Sequence, residues 1–463
     1  MGTGLPCGGA GHRILIENSE YWLRNYGDLA MLEVTVRRIR ERWPLATVGV
    51  MTESPALVAA YFPGVLGITV GDRDPWGAPG RIERFAAAAG PAVAGPPAVA
   101  ALRARAWALP KAIRARDLLR DTLSRRSSAA EPEASSTSEA VPTEDVVPRI
   151  ERRHPGAARA VRESSLVVAL GGGYMTDADI PQAGRVLDLL EYACGAGIPA
   201  AMVGQGLGPL RDPELRARAT QALGKLPLIA LRERRRGPEL LESLGVPSSA
   251  VVVTGDDAIE LAQAKRKVSP GNDIGVCLRV AKYSPVAARA QETVGSALRA
   301  AASEFGARLV PLIIAETPGS PDRATTVPLV EGSANPVEPV GRFVRPGAVA
   351  TAVGRCRMLV TGAYHLAVFA LSQGIPVVGL TSTEYYDDKF LGLADMFGGG
   401  VRLVHLDDPE LNAHLPAAIR AAWDEAPVLR EPLRASADAQ VLASRAAFER
   451  LFGLLEETHA EHA

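Results

Sequence analysis

The chain has 463 residues, of which 47% are hydrophobic and 22% charged, with a formal net charge of −1 at pH 7. That length exceeds one ordinary core and predicts two or three domains. The near-neutral balance excludes a whole-molecule field for nucleic acid or an anionic membrane, and no apolar run approaches the roughly 18–20 residues of a membrane span.

The opening "MGTGLPCGGAGHR" lacks the apolar core of a secretion signal. Cys7, Cys194, Cys277 and Cys356 are scattered with no CxxC pair, which argues against a zinc site or a disulfide framework. A soluble protein in a reducing cytoplasm is expected, with no bound metal.

Short apolar runs then alternate with segments of helical period. Arg13–Glu17 reads as a strand, Leu29–Trp43 as an amphipathic helix closed by Pro44, and Thr47–Met51 as the next strand. Arg81–Asp121, rich in Ala and Arg, predicts peripheral helix. Ser124–Pro148 carries Ser, Ala, Glu and Pro with hardly a bulky residue and predicts a disordered insertion, because it offers too little apolar surface to offset chain entropy. Further strands are predicted at Leu166–Leu170, Ala200–Val203, Leu228–Leu231 and Val251–Val253. The helices among them are Gly184–Ala196, Pro213–Lys225 and Pro238–Leu244. The polar "KRKVSPGN", residues 265–272, predicts a domain boundary. Beyond it, Ile274–Leu278, Leu309–Ile314, Met358–Val360, Val377–Leu380 and Val401–Val404 read as strands and Ala287–Phe305 as a helix. The tail from Asp408 reads as helical throughout, able to pack across both halves. Continuous apolar strands separated by helices mark parallel α/β sheets. The expected fold is therefore α/β, with two Rossmann-like domains, 12–265 and 273–407, facing a cleft, followed by a helical tail, 408–463.

In open parallel sheets, ligands collect beyond the carboxyl ends of the strands. After the first strand, Asn25, the backbone of Gly27 and Asp28 are placed to hold an acceptor, though Asp28 also reads as a helix N-cap. Gly171, Gly172 and Gly173 permit close backbone approach to a ligand but have neither dinucleotide-fingerprint nor P-loop spacing. "VGQGLGPLRDPE" repeats the pattern with Gln205. Arg232 directly ends an apolar run, while Asp256 and Asp257 precede a helix that capping alone explains. In the second half, Arg279 and Lys282 follow a strand as a candidate anion site. His365 falls between Met358–Val360 and a helix over Leu366–Ser372, where the positive end of the helix dipole disfavours imidazolium. A neutral imidazole there can take or relay a proton. Tyr385, Asp388 and Lys389 follow the next strand, so Lys389 brings another donor-binding cation to the same rim, with a solvated loop there as the alternative.

The ordered set "NYGDLAML", "VVALGGGYMTD", "GQGLGPL", "LRERRRGPELLESLGV", "VTGDDAIELA" and "HLAVFALSQGIPVVGL" followed by "YYDDKFLGLADMFG" resembles the polysaccharide pyruvyl transferase family. The resemblance implies a fold like that of two-domain GT-B glycosyltransferases. It also implies transfer of the enolpyruvyl unit of phosphoenolpyruvate to a sugar hydroxyl, usually as a pyruvate ketal, in cell-surface polysaccharide or secondary-metabolite synthesis. No cofactor is implied, and phosphoenolpyruvate is the donor substrate. His365 matches the family histidine and Arg232 an arginine for the donor anion. The family's Ser-Arg-Leu-His string reads Gly362-Ala363-Tyr364-His365 here, so the missing charge falls to Arg279, Lys282 or Arg357. Two other readings stand beside this one. A GT-B glycosyltransferase would want a carboxylate for a nucleotide ribose, for which Glu384 and Asp387 are candidates. A non-catalytic sugar-binding relative would be consistent with Ala363.

Overall fold

The structure, a computed structural model, describes residues 11–18, 20–108, 146–280, 286–317 and 321–461. Most of the predicted insertion, residues 124–145, lies outside these, as does Lys282.

Two parallel sheets organise the chain. The first contains β1 (Arg13–Glu17), β2 (Thr47–Met51), β3 (Leu66–Ile68), β4 (Leu166–Ala169), β5 (Gly172–Met175), β6 (Ala200–Leu207), β7 (Ile229–Leu231) and β8 (Val251–Val253). Its order is β3-β2-β1-β4-β6-β7-β8, with β5 paired to β6. The second contains β9 (Asp273–Cys277), β10 (Leu309–Pro311), β11 (Cys356–Thr361), β12 (Val377–Thr381) and β13 (Val401–His405), in the order β10-β9-β11-β12-β13. Ile14, Leu15, Ile16, Leu166, Val167, Val168, Met358, Leu359 and Val360 are all fully buried. Strands covered on both faces show this continuous apolar pattern, which is why they were legible as runs.

Strand order reverses beside β1 in the first sheet and beside β9 in the second. At such switch points the following loops diverge to opposite faces and leave a crevice at the carboxyl edge. Both crevices face the same gap, and the chain ties them together there. Tyr26 donates its N–H to the Ile314 carbonyl at 2.8 Å, Glu316 donates to the Arg24 carbonyl at 2.9 Å, and Asn25 forms a bridge with Ala315.

A single apolar cluster runs from β1 through helix Tyr26–Arg42 to helix Tyr364–Ser372 of the second half, and on to Phe448 and Leu451 of the tail. The tail is one helix, Leu411–Glu461. Arg420 pairs with Glu304 at 2.9 Å on the second half, while Ser444 donates to Asp257 at 2.5 Å and Arg450 to the Ser249 carbonyl at 2.8 Å on the first. Buried Arg38 donates to Ser444 at 2.8 Å and ion-pairs with Glu260. The tail thus straps both halves and fixes the gap between them.

Several expectations need correction. Gly172 and Gly173, expected to lie beyond a strand's end, open the further strand β5, and β6 runs on past the expected Val203 to Leu207 with β5 as its ladder partner. Val146–Pro148 opens helix Val146–Arg153 instead of closing the disordered insertion. The stretch read as a rim loop after β12 is helix Glu384–Phe397, whose buried Tyr386, Phe390, Leu393 and Phe397 give it an apolar face. Helix Tyr26–Arg42 is capped by Asn25, whose side-chain oxygen accepts the Gly27 N–H at 2.9 Å, so Asp28 is not the cap. Relieved of that duty, its carboxyl turns to the gap.

Candidate functional site

The gap holds a cleft of about 330 Å³ between the two sheets. Asn25 and Asp28 enter it after β1, Gly172 and Gly173 from β5, and Arg232 at the end of β7. Arg279 enters after β9, Tyr364 and His365 after β11, and Tyr385 and Lys389 after β12. All but Gly172 and Gly173, which open β5, follow the carboxyl end of a strand.

Arg232 is almost fully buried, with 3% exposure. Its N–H donates to the Gln205 carbonyl at 2.9 Å, its guanidinium lies 4.1 Å from the centroid of the Tyr364 ring, and Nη1 is 3.4 Å from Oδ2 of Asp256. Stacking and a carboxylate together hold the cation in one place without water. Lys389 comes from the other sheet, its Nζ 3.9 Å from the Tyr385 ring centroid. The two cations meet over Gly173. A Cβ built there would stand 2.8 Å from Nη2 of Arg232 and 3.0 Å from Nζ of Lys389, so a side chain at this position would push the two charged ends aside. The Gly173 carbonyl is held from the second half by the Tyr385 hydroxyl, which donates to it at 2.6 Å.

His365 is the second residue of helix Tyr364–Ser372. A Cβ on Gly27 would fall 2.0 Å from its Cγ and 2.1 Å from its Nδ1, so the bare Cα of Gly27 is the seat of the ring. Nε2 is buried, makes no hydrogen bond, and stands 3.7 Å from Oδ2 of Asp256. Burial holds the imidazole well below its ordinary 6.5, and Arg232, Lys389 and Arg279 push it the same way. It is neutral at physiological pH. Burial likewise lowers Lys389 well below 10.5, with Arg232 and Arg279 adding their repulsion.

Two carboxyls move the other way. Burial raises Asp28 to about 7, reinforced by Glu20 and opposed by Arg232. Burial raises Asp256 to about 6, opposed by Arg232 and by the Ala258 N–H that its Oδ1 accepts at 2.9 Å.

Several candidates take roles other than those expected. Gln205 is fully buried beneath the cleft wall, donating to the Leu170 carbonyl at 2.7 Å and the Tyr174 hydroxyl at 2.8 Å; it braces the wall and does not line the cleft. Gly27 contacts the imidazole, not the open cleft. Arg279 lines the cleft but is held on Asp322 at 2.7 and 2.9 Å. Arg357 stacks on Trp423 away from the site. Asp388 pairs with Arg235 and Arg236 across the halves, and Glu384 turns outward to Arg211 at 3.2 Å. Asp387 stands 3.7 Å from His405, so neither ribose candidate lines the cleft. Sequence reading missed Asp256 as a site residue, since capping sufficed to explain it. Its signal was position, directly beyond β8 on the same edge as the others.

Among the described residues no group of His, Cys, Asp and Glu could hold a metal ion, and no helix is long and apolar enough to cross a membrane.

Two parallel sheets meeting across a ligand cleft at their carboxyl edges define the GT-B fold. Solved structures share it over almost their whole length. S. aureus MnaA with UDP has 11% identity and a TM-score of 0.54, covering 96% of this chain and 97% of that one. The UDP-GlcNAc 2-epimerase from Neisseria meningitidis bound to UDP-GlcNAc has 12% identity and a TM-score of 0.50, covering 95% and 100%. The UDP-GlcNAc 2-epimerase from Methanocaldococcus jannaschii has 10% identity and a TM-score of 0.50, covering 94% and 99%. At these identities the likeness is one of fold alone. No curated protein sequence matches the chain. The polysaccharide pyruvyl transferase family model matches residues 25–384, and the chain belongs to that family; it is a transferase.

Proposed function

We propose that the cleft binds phosphoenolpyruvate and transfers its enolpyruvyl unit to a sugar, closing a pyruvate ketal across two hydroxyls. The observation that carries this reading is the meeting of Arg232 and Lys389, one from each sheet, over the glycine backbone of β5 with His365 beside them. Two cations that repel each other in a buried site are relieved by an anion of high charge. Phosphoenolpyruvate, with a phosphate and a carboxylate on adjacent atoms, spans such a pair. The acceptor approaches from the side of Asn25, Gly172 and Asp179, where the wall is polar. Neutral His365, which lines the cleft and whose Nε2 makes no hydrogen bond, handles the proton of the attacking hydroxyl.

The nucleotide-sugar alternative has less support, because Glu384 is engaged by Arg211 and Arg236. Thermal denaturation with phosphoenolpyruvate, and separately with UDP-, GDP- and dTDP-sugars, separates the readings. A ligand specific for the native state adds about 2.7 kcal/mol at a hundredfold excess over Kd. Stabilisation by phosphoenolpyruvate that is lost in Arg232→Ala and Lys389→Met is expected; a response confined to a nucleotide sugar would reject the donor assignment.

A further inference from the structure

Pyruvyl transfer has two proton problems. The methylene carbon of the donor must gain a proton to become methyl, and the attacking hydroxyl must lose one. A neutral histidine serves only the second. Burial is the largest cause of its neutrality, and burial persists when a bound anion offsets Arg232, Lys389 and Arg279. An acid must come from elsewhere in the cleft wall.

The other candidates are occupied or too weak. The Glu20 oxygens accept the N–H groups of Trp22 and Arg24. Asp179 accepts the Gln182 N–H at 3.3 Å as a helix cap. The Tyr174 hydroxyl donates to the Leu170 carbonyl and that of Tyr385 to the Gly173 carbonyl, and burial drives the Tyr174 and Tyr364 phenols above their ordinary range. Arg232 and Lys389 are needed as charges. Asp28 alone among these lines the cleft with its carboxyl free of any hydrogen bond or ion pair among the described residues. It stands one residue from the Gly27 seat of His365.

We propose that Asp28 is the proton donor of the transfer, delivering its carboxyl proton to the methylene carbon of the bound enol phosphate while His365 accepts the proton of the attacking hydroxyl. This rests on the phosphoenolpyruvate reading above. The π electrons of the donor take the Asp28 proton and CH2 becomes CH3. The hydroxyl oxygen bonds to the adjacent carbon as its proton passes to His365. The second hydroxyl then forms its bond to the same carbon as the C–O bond to phosphate breaks, with that electron pair leaving on phosphate. Of the two hydroxyl protons, one restores Asp28 and the other departs as hydrogen phosphate, so the acceptor diol and donor give ketal and phosphate with no further reactant.

The groups facing Asp28 are Glu20, Asp256 and Tyr174, which favour its protonated form, and Arg232, Arg279 and Lys389, which oppose it. A trianion lying against the three cations removes their opposition. Binding should therefore draw a proton onto Asp28 at pH 8, where most of the free protein has lost it.

Calorimetric titration with phosphoenolpyruvate at pH 8, in two buffers of different ionisation enthalpy, counts that proton without needing an acceptor. About one proton taken up per donor bound is expected for the parent, and close to none for Asp28→Asn, with affinity retained or improved. Phosphate release in the presence of hexose methyl glycosides with free 4- and 6-hydroxyls should fall by about 10²–10⁴-fold in the variant while the KM for phosphoenolpyruvate changes little. Equal uptake by parent and variant, or none by the parent, would overturn the assignment. Failure of the parent to bind phosphoenolpyruvate at all would instead overturn the donor reading, so the two failures are distinct.

Discussion

Gly27→Ala tests the seat of the imidazole. The added methyl would lie 2.0 Å from Cγ of His365, 2.1 Å from Nδ1 and 2.5 Å from Cβ. Ordinary carbon contacts are about 3.5–4.0 Å, so the ring or the start of helix Tyr26–Arg42 must move by about 1.5 Å. Overpacking of this kind costs about 1–3 kcal/mol, offset by the roughly 1 kcal/mol that alanine gains over glycine inside a helix. The net loss is about 0–2 kcal/mol, a fall of a few degrees in Tm for a protein of this size. Function should suffer far more, because a displacement of about 1 Å in a reacting group costs about 10²-fold. Thermal denaturation gives the first quantity; phosphate release and the stabilisation by phosphoenolpyruvate give the second. A variant that melts within a few degrees of the parent but has lost turnover fits the geometry. One with undiminished turnover would show that the imidazole does not need the place that Gly27 leaves it.

Arg232→Ala leaves Asp256 buried without its counter-ion; a loss of about 3–5 kcal/mol is expected in denaturant titration, together with loss of the donor response. Arg232→Lys, which keeps charge but not the stack on Tyr364, should fold and bind the donor about tenfold more weakly. The Asp28 carboxyl sits near 7 in the folded protein against 3.8 in its ordinary state, so its contribution to stability is present at low pH and is lost as pH rises through 7. Asp28→Asn should therefore melt close to the parent below about pH 4 and above it at pH 8. The shift sets a ceiling of about 4 kcal/mol, and partial exposure reduces the expected gain to about 1–3 kcal/mol. Arg38→Met leaves Asp257 buried with only the Ser444 hydroxyl and takes one of three arginines from Glu260, which keeps Arg37 and Arg445; a loss of about 3 kcal/mol, with earlier proteolysis of the tail, should follow.

The strands were legible because parallel strands buried on both faces leave unbroken apolar runs, and the residues after them were legible as cleft-lining because the loops at that edge of an open sheet border its crevice. His365, Arg232 and Lys389 line the cleft in accord with that rule. The elements that escaped have weaker local signals. β3 has only Leu66, Gly67 and Ile68, and β5 is half glycine, held by its ladder to β6 and by the Tyr385 hydroxyl from the other sheet. Helix Glu384–Phe397 carries charge at its exposed start, which masks the apolar face of Tyr386, Phe390 and Leu393. Long-range pairing also hid the roles of Asp28 and Asp256. Both sit where a helix cap would satisfy the local pattern, and only the folded chain shows Asn25 capping one helix while Asp256 turns its second oxygen to Arg232 and His365. Gln205 erred in the opposite direction, its Gly-rich surroundings suggesting a ligand where the amide braces the wall.

The most direct measurement is a crystal structure of the protein with phosphoenolpyruvate. Phosphate and carboxylate oxygens are expected within about 3 Å of Arg232 and Lys389, with the methylene carbon turned to Asp28 and the reacting carbon toward Nε2 of His365. Donor bound outside the gap between the sheets, or touching residues of only one half, would contradict the convergence of both lobes on one anion.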